Sequence, residues 1–291
     1  TRRSVTFSHR VEHILRTDSF DVVHAISPCR YADIYQPRGG TVAETMERNV
    51  ALRDSAHARR LKRYTARLNL KQRYQLLLER KLLAPGKGPI VAAISDYVVR
   101  QLKKHYDLPD DRIRKIYNGV DADRSTQIQR ADQRQAIRRE FGIAPSDVLV
   151  LLVAHNFRLK GIHRWMQALA SLLERGVGNV RSLVVGRGES PRWHRLAARL
   201  DIEDRLTFVG PSERVGEFLH AADILVHPTY YDPCSRVVLE GMVASVPCIT
   251  TRWDGASEMI VDGTNGYVLD EPTDIVTLAK RVEQLCDAGL R

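Results

Sequence analysis

Residues 222–262 read ADILVHPTYYDPCSRVVLEGMVASVPCITTRWDGASEMIVD, and this stretch decides the fold. Its apolar run at residues 223–227 predicts a short strand, residues 228–233 predict a loop, and residues 235–244 have helical spacing. A second strand is predicted at residues 247–250. The stretch is therefore a strand, a loop, a helix and a strand, which is the repeating unit of a parallel sheet with helices on its faces.

The start of the predicted helix has the features of an anion site. Ser235 is a favourable N-cap, and the first backbone N–H groups after it have no partner inside the helix. Such a terminus binds phosphate and other anions. Asp232 precedes it and Glu240 follows, with seven residues between them, so both carboxylates can border one pocket. Because a carboxylate accepts hydrogen bonds from neighbouring hydroxyls, the stretch predicts a site for a phosphorylated sugar.

This arrangement resembles the signature of the retaining GT-B glycosyltransferases of the glycosyl transferases group 1 type. That signature is a Glu, seven residues and a second Glu at a helix start, and here Asp232 takes the first place. The resemblance covers nearly the whole chain and is nearest to the lipopolysaccharide core glucosyltransferase I group. It implies that Glu240 binds the ribose of a nucleotide-sugar donor and that Asp232 binds the donor sugar. Further donor contacts that it implies are Cys234, Ser235 and Arg236.

The resemblance also implies the fold, an α/β GT-B architecture in which two doubly wound Rossmann-like domains face a cleft. A length of 291 residues is sufficient for two such domains. With 43% hydrophobic and 27% charged residues, the composition is globular and excludes a disordered chain. The longest apolar run, residues 148–154, is too short to span a bilayer. Four cysteines without metal-ligand or paired spacing favour a reducing cytoplasm.

Residues 1–134 are predicted to form the N-terminal, acceptor-side domain. Its strands are predicted at residues 21–26, 90–94 and 112–117, and its helices at 1–16, 41–83 and 95–106. Thr41 and Glu44 form a capping box at the start of the region 41–83. No opening strand or glycine-rich loop precedes residue 21, so this domain is expected to be incomplete.

Residues 135–291 are predicted to form the C-terminal, donor-binding domain. Its strands are predicted at residues 148–153, 181–185, 206–209, 223–227 and 247–250, with helices starting near Gly161, Pro191, Ser212 and Ser235. This alternation predicts a parallel, doubly wound sheet, whose ligands bind outside the carboxyl ends of the strands. A closing helix expected from the resemblance is missing, as is the opening strand of the first domain, so we expect a fragment or a chain with further parts. We expect these 291 residues to bind uridine diphosphate but to transfer sugar poorly or not at all.

The loop after the first of these strands, AHNFRLKG, carries two cations, Arg158 and Lys160. Fixed cations in a dry cleft stabilise the negative charge that develops on a diphosphate leaving group. The resemblance assigns this role to Lys160, with Arg158 as the second cation. The alternative is that both side chains are solvated.

Glycines follow the next two strands, at Gly186 and Gly210. Glycine lets the backbone approach a ligand closely. By resemblance these loops flank the nucleotide base, with Arg187 stacking on it and the backbone near Val209 reading its edge. Ordinary turn chemistry is the alternative.

Two further groups of polar residues are candidates in residues 1–134. Asp33 is expected to position the acceptor, while His24 is expected to be a satisfied core histidine. The pair Asp121 and Asp123 has the pattern of a divalent-metal site, but a solvated turn is the favoured interpretation. Neither a metal nor another cofactor is therefore expected.

The formal charge of +10 favours an acidic partner. Residues 53–81 contain ten Lys or Arg and two acids, a net charge of +8. Basic and apolar residues alternate there as in a basic amphipathic helix, which predicts docking on an anionic membrane. Alternatives are a solvated helix face and nucleic-acid binding, for which no motif is visible. The residues expected on the membrane or acceptor side are Arg38, Arg59, Arg60, Lys62, Arg63 and Arg67.

The sequence thus predicts a metal-independent, retaining hexosyltransferase. Its donor is expected to be a uridine-diphosphate sugar, with glucose as the sugar, and its acceptor a membrane-linked saccharide such as lipopolysaccharide core. The protein is expected in the cytoplasm, peripherally on the inner face of the cytoplasmic membrane. The alternatives are a sugar-nucleotide-binding module without turnover and a basic nucleic-acid-binding protein.

Overall fold

The computed structural model describes residues 2–86, 88–121, 127–287 and 289. The chain divides into two compact units. The first unit contains Thr1–Asn118 and Asp232–Cys234, and the second contains Gly119–Tyr231 and Ser235–Arg291. Each unit has its own sheet, and all strand pairs in both sheets are parallel.

The first unit has a small sheet of four strands in the order β1-β2-β3-β4. Its strands are β1 (His24–Ala25), β2 (Ile34–Tyr35), β3 (Ile90–Ala93) and β4 (Ile113–Lys115). Its helices are α1 (Arg2–Thr17), α2 (Val42–Ala51), α3 (Ala56–Arg67), α4 (Leu70–Leu82) and α5 (Asp96–Tyr106).

The predicted buried strand at residues 21–26 is only partly correct. Its extended pairing is confined to His24 and Ala25, and His24 is exposed, so the prediction of a core histidine is wrong. The physical reason is that β1 lies at the edge of the described sheet. Val22 and Ile26 are consequently 58% and 53% exposed despite being apolar.

The helical region predicted at residues 41–83 is three helices rather than one. The chain restarts twice because polar side chains cap new helices. Ser55 accepts a hydrogen bond from the backbone N–H of Ala58 at 3.1 Å, and Asn69 accepts one from that of Gln72 at 3.1 Å. Helical periodicity continues across both caps, which is why the sequence pattern did not reveal the breaks.

The capping box predicted at the start of α2 forms only in part. The Thr41 hydroxyl accepts a hydrogen bond from the Glu44 N–H at 3.3 Å, as expected. The Thr41 N–H, however, donates to Oε1 of Gln101 at 3.0 Å instead of to Glu44. Glu44 instead accepts hydrogen bonds from Tyr97 at 3.1 Å and from Lys104 at 3.2 Å. The acid therefore joins α2 to α5.

Glu44 has a strongly perturbed acidity for this reason. Its side chain is 4% exposed, and its Oε2 lies 2.7 Å from Nε2 of His105. Burial alone would raise the pKa of Glu44, but the hydrogen bonds with His105 and Lys104 outweigh it and lower the pKa to about 2. A carboxyl whose folded pKa is depressed stabilises the fold above its unfolded pKa, and this stabilisation is lost as the pH falls through the folded value.

We expect Glu44→Gln to lower the free energy of unfolding at pH 7 by about 3 kcal/mol, the equivalent of the pKa depression. The difference from wild type should shrink as the pH falls from 4.5, the ordinary value, towards 2. Urea unfolding at pH 7 and pH 3 measures it. Glu47→Gln is the matched control, because Glu47 contacts the same Lys104 but is 54% exposed and should cost under about 1 kcal/mol. Equal losses in both variants would contradict the prediction.

The second unit has a six-stranded sheet in the order β10-β9-β8-β5-β6-β7. Its strands are β5 (Val148–Val153), β6 (Val180–Val185), β7 (Leu206–Gly210), β8 (Ile224–His227), β9 (Cys248–Thr251) and β10 (Gly266–Leu269). Its helices are α6 (Gln127–Glu140), α7 (Ile162–Glu174), α8 (Pro191–Arg199), α9 (Val215–Ala221), α10 (Arg236–Val243) and α11 (Ile275–Leu285). The five strands predicted from the sequence are confirmed.

The sequence pattern missed α6, β10 and α11. Strand β10 is only four residues long and begins with a glycine, which weakens any strand signal. A side chain at Gly266 would place its Cβ 2.3 Å from the carbonyl oxygen of Cys248. Only glycine therefore lets β10 pair this closely with β9. Helix α11 then packs its Leu278 and Val282 into the core against α7.

Candidate active site

The order of strands in the second unit defines a crevice. Strands β5 and β8 are neighbours, and the chain runs from β5 to β6 in one direction along the sheet and from β8 to β9 in the other. In open parallel sheets, ligands bind at such a switch point, outside the carboxyl ends of the strands. We name the space outside the ends of β5 and β8 the β5/β8 crevice.

Two loops meet at this crevice. Residues 154–161 follow β5 and residues 228–235 follow β8. The Tyr230 N–H donates to the carbonyl of Leu159 at 2.9 Å. Gly161 has φ +70°, and a Cβ there would lie 2.0 Å from the carbonyl oxygen of Pro228. A glycine before α7 is thus what lets the two loops touch.

Lys160 is fixed between the same two loops. Its ammonium donates to the carbonyl oxygen of Tyr231 at 3.2 Å, and its side chain is only partly exposed. Arg158, two residues earlier, is also partly exposed. The loop that carries both cations follows β5, and the role of Lys160 and Arg158 in catalysis stays a prediction.

The start of α10 differs from its expected form. Ser235 is the N-cap residue, but its hydroxyl forms no cap hydrogen bond. Its backbone N–H donates to Oδ1 of Asp254 at 2.9 Å, and Asp254 is fully buried. A protein carboxylate therefore holds the backbone of the N-cap residue itself, one position before the N–H groups of the predicted anion site.

Glu240 lies one turn further along α10. Its side chain is 34% exposed, and its Oε1 lies 3.4 Å from the guanidinium of Arg236, which is 59% exposed. Burial raises the pKa of Glu240, and the Arg236 charge opposes that rise. A half-buried carboxylate at the edge of a crevice suits recognition of neighbouring hydroxyls. Its assignment to a ribose stays a prediction.

Asp232 and Cys234 lie in the short segment that groups with the first unit. Oδ1 of Asp232 accepts a hydrogen bond from the Cys234 N–H at 3.3 Å. Asp232 is partly exposed, whereas Cys234 is 5% exposed and has a free thiol. A donor-sugar contact by Asp232 and a donor contact by Cys234 stay predictions.

An aromatic cluster that the sequence analysis missed joins the loop after β5 to α8 and β7. The ring of Phe157 stacks on Phe208 with centroids 6.0 Å apart, and it lies 6.3 Å from Trp193. The indole N–H of Trp193 donates to the Gly188 carbonyl at 2.9 Å. A Cβ at Gly188 would lie 2.8 Å from the Phe157 ring. A signal was present for two of them, since Phe157 follows β5 and Phe208 lies near the end of β7, whereas Trp193 lies in α8.

The predicted base-binding residues lie around this cluster. Gly186 is buried, and a Cβ there would lie 1.9 Å from the carbonyl oxygen of Ala154, so glycine is required. Arg187 is exposed, while Val209 and Gly210 at the end of β7 are partly exposed. Arg187, Val209 and Gly210 are accessible to a ligand, and the contact of these loops with a base stays a prediction.

Asp33 in the first unit lies at the amino end of its strand. Its Oδ2 accepts from the Val23 N–H at 2.8 Å and its Oδ1 accepts from the Tyr31 hydroxyl at 2.6 Å. The hydrogen bond from Tyr31 lowers the pKa of Asp33 most, and the one from Val23 lowers it further. Ligands of parallel sheets bind at the opposite, carboxyl ends, so this position gives the predicted acceptor role no added support.

An ion pair that the sequence analysis missed does lie at a carboxyl end of the first sheet. Asp96 follows β3 and Lys115 ends β4, and the ammonium is 2.9 Å from both carboxylate oxygens. It also lies 4.9 Å from the ring centroid of Tyr117. The signal in the sequence was that Lys115 is the last residue of a strand and that Asp96 follows a strand closely. Arg38, in the loop after β2, is exposed.

Helix α3 has an exposed surface that is both basic and apolar. Arg59, Arg60 and Arg63 are exposed, and Lys62 is partly buried. Leu61 and Tyr64 are also 64% and 66% exposed. We name this surface, residues 59–64, the basic apolar face. The side chain of Arg67, at the end of α3, lies outside what the structure describes.

None of the described helices combines the length and the apolar character that crossing a membrane requires.

Two groups of residues bear on the expectation that no metal is bound. Asp123, one member of the acidic pair near residue 121, lies outside the described residues. Within the described part of the chain, Glu44, Glu47 and His105 lie close enough together to share an ion. The ammonium of Lys104 already lies 3.2 Å and 2.5 Å from the two carboxylates. The group is therefore explained as a network of ion pairs.

Comparison with known proteins gives matches over both units. Residues 133–289 match the family model described as Glycosyl transferases group 1, and residues 1–124 match the one described as Glycosyltransferase Family 4. The lipopolysaccharide glucosyltransferase WaaG of Escherichia coli (strain K12) is 31% identical over 211 residues, covering 72% of this chain and 56% of that protein. The chain spans about half the length of the curated relatives that it matches.

Solved structures agree with these matches. A crystal structure of WaaG, a glycosyltransferase involved in lipopolysaccharide biosynthesis, has a TM-score of 0.84 and 26% identity and covers 100% of this chain and 75% of that one. A structure of Anabaena Alr3699/HepE in complex with UDP-glucose has a TM-score of 0.62 and 18% identity, covering 89% and 71% of the two chains. The second likeness is one of fold alone.

Proposed function

Because this chain belongs to the glycosyl transferases group 1 family, we propose that it transfers a hexose from a nucleoside-diphosphate sugar to a saccharide acceptor. The observation that carries the proposal is the β5/β8 crevice, where Lys160 and the helix that bears Glu240 follow neighbouring strands. A protein that binds a nucleotide sugar needs a cation to bind the diphosphate and a carboxylate to accept hydrogen bonds from the hydroxyls.

The donor is proposed to be a uridine-diphosphate hexose, with glucose as the sugar. Glu240 binds the ribose hydroxyls, Asp232 the sugar hydroxyls, and Lys160 the diphosphate. The base lies against the loops after β6 and β7, with Arg187 on its face. Support comes from WaaG, whose name states that it is a glucosyltransferase, and from the Anabaena protein of like fold that holds UDP-glucose.

The reaction is proposed to retain the anomeric configuration and to need no metal. As the bond between the sugar and the diphosphate breaks, negative charge grows on the phosphate oxygens, and the cations Lys160 and Arg158 stabilise it. The oxygen of the acceptor hydroxyl forms its bond to the anomeric carbon on the face that the diphosphate leaves, and the departing phosphate takes the proton of that hydroxyl. No strong protein base is then required. Asp33 is proposed to position the acceptor.

Titration with uridine diphosphate, followed by transfer from UDP-glucose to lipopolysaccharide that lacks core glucose, tests this function. Binding together with transfer would support the proposed function and would contradict the sequence-based expectation of poor or absent transfer. Binding without transfer would favour a sugar-nucleotide-binding module. Absence of binding would contradict both readings and leave the nucleic-acid alternative, for which the basic residues at positions 53–81 are the only sequence feature.

The acceptor is proposed to be membrane-linked, with lipopolysaccharide core as the example that WaaG provides. We propose that the basic apolar face of α3 docks on the inner face of the cytoplasmic membrane. Exposed Leu61 and Tyr64 between exposed arginines match the makeup of an interfacial helix. Each cation near an anionic surface contributes on the order of 1 kcal/mol, and salt screens this attraction.

We therefore expect binding to vesicles containing anionic lipid to fall steeply with salt, and to fall at least tenfold when Arg59, Arg60, Lys62 and Arg63 become Gln. Sedimentation with vesicles measures it. The matched control changes four exposed cations of the second unit to Gln: Arg139, Arg195, Arg199 and Lys280. Equal losses in the two variants would show that only net charge matters, and the docking face would be wrong.

A further inference from the structure

Asp254 is a buried acid that the proposed chemistry does not use. It follows β9, and its side chain has no exposed surface. Its Oδ1 accepts hydrogen bonds from the backbone N–H groups of Ser235 and Ala256, each at 2.9 Å. Its Oδ2 lies 2.9 Å from the hydroxyl of Thr250. A carboxylate buried this deeply is stable only with such partners.

The turn that carries Asp254 is also tied to the loop after β8. The Thr250 hydroxyl lies 3.0 Å from the carbonyl oxygen of His227, the last residue of β8. The Thr251 hydroxyl donates to the Thr229 carbonyl at 2.7 Å. Asp254 thus joins β9, through Thr250, to Ser235 at the start of α10, the helix that follows the neighbouring strand β8.

The bond to Ser235 is the one that reaches the site. Ser235 is the N-cap of α10, and its own hydroxyl does not cap the helix. A carboxylate close to a helix N-terminus is favourable because the helix dipole is positive there. Asp254, from a distant segment, therefore holds the start of α10 by a hydrogen bond, whereas the Ser235 side chain forms no cap. Glu240 lies five residues after Ser235, which is less than two turns of a helix with 3.6 residues per turn. The direction of the Glu240 side chain therefore depends on the position in which the first turn of α10 is held.

We propose that Asp254 is a positioning residue that fixes the start of α10 and so aims Glu240 at the ribose of the donor. This inference rests on the proposed function. Asp254 itself has no exposed surface with which to touch a ligand.

The test compares the affinities of the whole chain for UDP and for its 2′,3′-dideoxy analogue. The wild type should prefer UDP at least tenfold, because a hydrogen bond to a charged group is lost in the analogue. In Asp254→Ala this preference should fall towards unity, as it does in Glu240→Ala. Adding Asp254→Ala to Glu240→Ala should change the preference no further. Asp254→Asn should keep most of it, since an amide can accept from both N–H groups and donate to Thr250.

Asp223→Ala is the matched control. Asp223 is another largely buried acid of the same sheet, paired with Arg134 and Arg138, but it lies before β8 and not after a strand. Its loss should lower stability and leave the preference for UDP intact, because its partners are far along the chain from α10. If Asp254→Ala does not fold, Thr250→Val removes one anchor of the same carboxylate and should reduce the preference in the same direction.

The outcomes separate this inference from the proposed function. A wild type that does not bind UDP, or binds it without preference over the analogue, would overturn the assignment of Glu240 itself. A wild type with the preference, together with Asp254 and Thr250 variants that retain it, would overturn the positioning role alone. Loss of the preference in Asp223→Ala as well would show general damage and would also overturn it.

Discussion

Replacing Lys160 with Ala is expected to lower the rate of sugar transfer by about 100- to 1000-fold while weakening donor binding by much less. The diphosphate is already charged in the ground state, but its charge grows as the sugar–oxygen bond breaks, and a fixed cation stabilises that growth selectively. The structure gives Lys160 this fixity, since its ammonium is held by the Tyr231 carbonyl at 3.2 Å. A lysine side chain that was free to move would stabilise the transition state less, because it would first have to move into position.

Single-turnover transfer from UDP-glucose, beside titration with UDP, separates the two effects of Lys160→Ala. Lys160→Arg keeps the charge and should recover part of the rate. Lys280→Ala, at an exposed position of α11, is the matched control and should behave as wild type. If the loss in Lys160→Ala resided entirely in donor affinity, the cation would act in binding alone, and the role in leaving-group departure would be wrong.

The fold class could be predicted from the sequence because the second unit consists of strong local signals. Residues 148–153, VLVLLV, form a fully apolar run that is typical of a strand buried on both faces, and β5 is formed there. The predicted GT-B class is confirmed by two parallel α/β units and by the WaaG structure. The order of strands could not be predicted, because the pairing of β5 with β8 joins residues more than seventy positions apart.

The first unit was harder to predict because its strands are short and because its buried charged residues look like surface residues in the sequence. Strand β2 is two residues long, too short to produce a periodic pattern. Glu79, which reads as one more charge on a basic helix, is fully buried and accepts hydrogen bonds from the Tyr35 hydroxyl and the Val42 N–H, each at 2.7 Å. A pattern of charges does not show which member is buried, since burial depends on partners distant in sequence.

The candidate site shows the same division. Lys160, Ser235 and Glu240 were identifiable because each has a fixed place relative to a strand or a helix start. Asp254 was not, since nothing in the sequence indicates that it reaches the N–H of Ser235, nineteen residues earlier. Local motifs therefore located the crevice, and long-range hydrogen bonds determine how its residues are held.

Replacing Glu240 with Ala is expected to weaken UDP binding by about 1–3 kcal/mol, the contribution of hydrogen bonds to a charged group. The carboxylate is 34% exposed and lies 3.4 Å from Arg236, so it is accessible to a ligand. Calorimetric titration at pH 7 measures the loss. Glu203→Ala, an exposed acid in the turn before β7, is the control and should bind as wild type.

The acidity of Glu240 supplies a second, independent readout. Burial raises its pKa above the ordinary value of 4.5, so the group takes up a proton at a higher pH than an exposed Glu does. A protonated carboxyl is a poorer acceptor for ribose hydroxyls. Wild-type affinity should therefore fall, relative to that of Glu240→Gln, as the pH is lowered from 7 towards 4.5, and the Gln variant removes the titration of UDP itself from the comparison. Equal affinity of wild type and Glu240→Ala at pH 7, or a ratio that does not change with pH, would show that Glu240 does not bind the ribose.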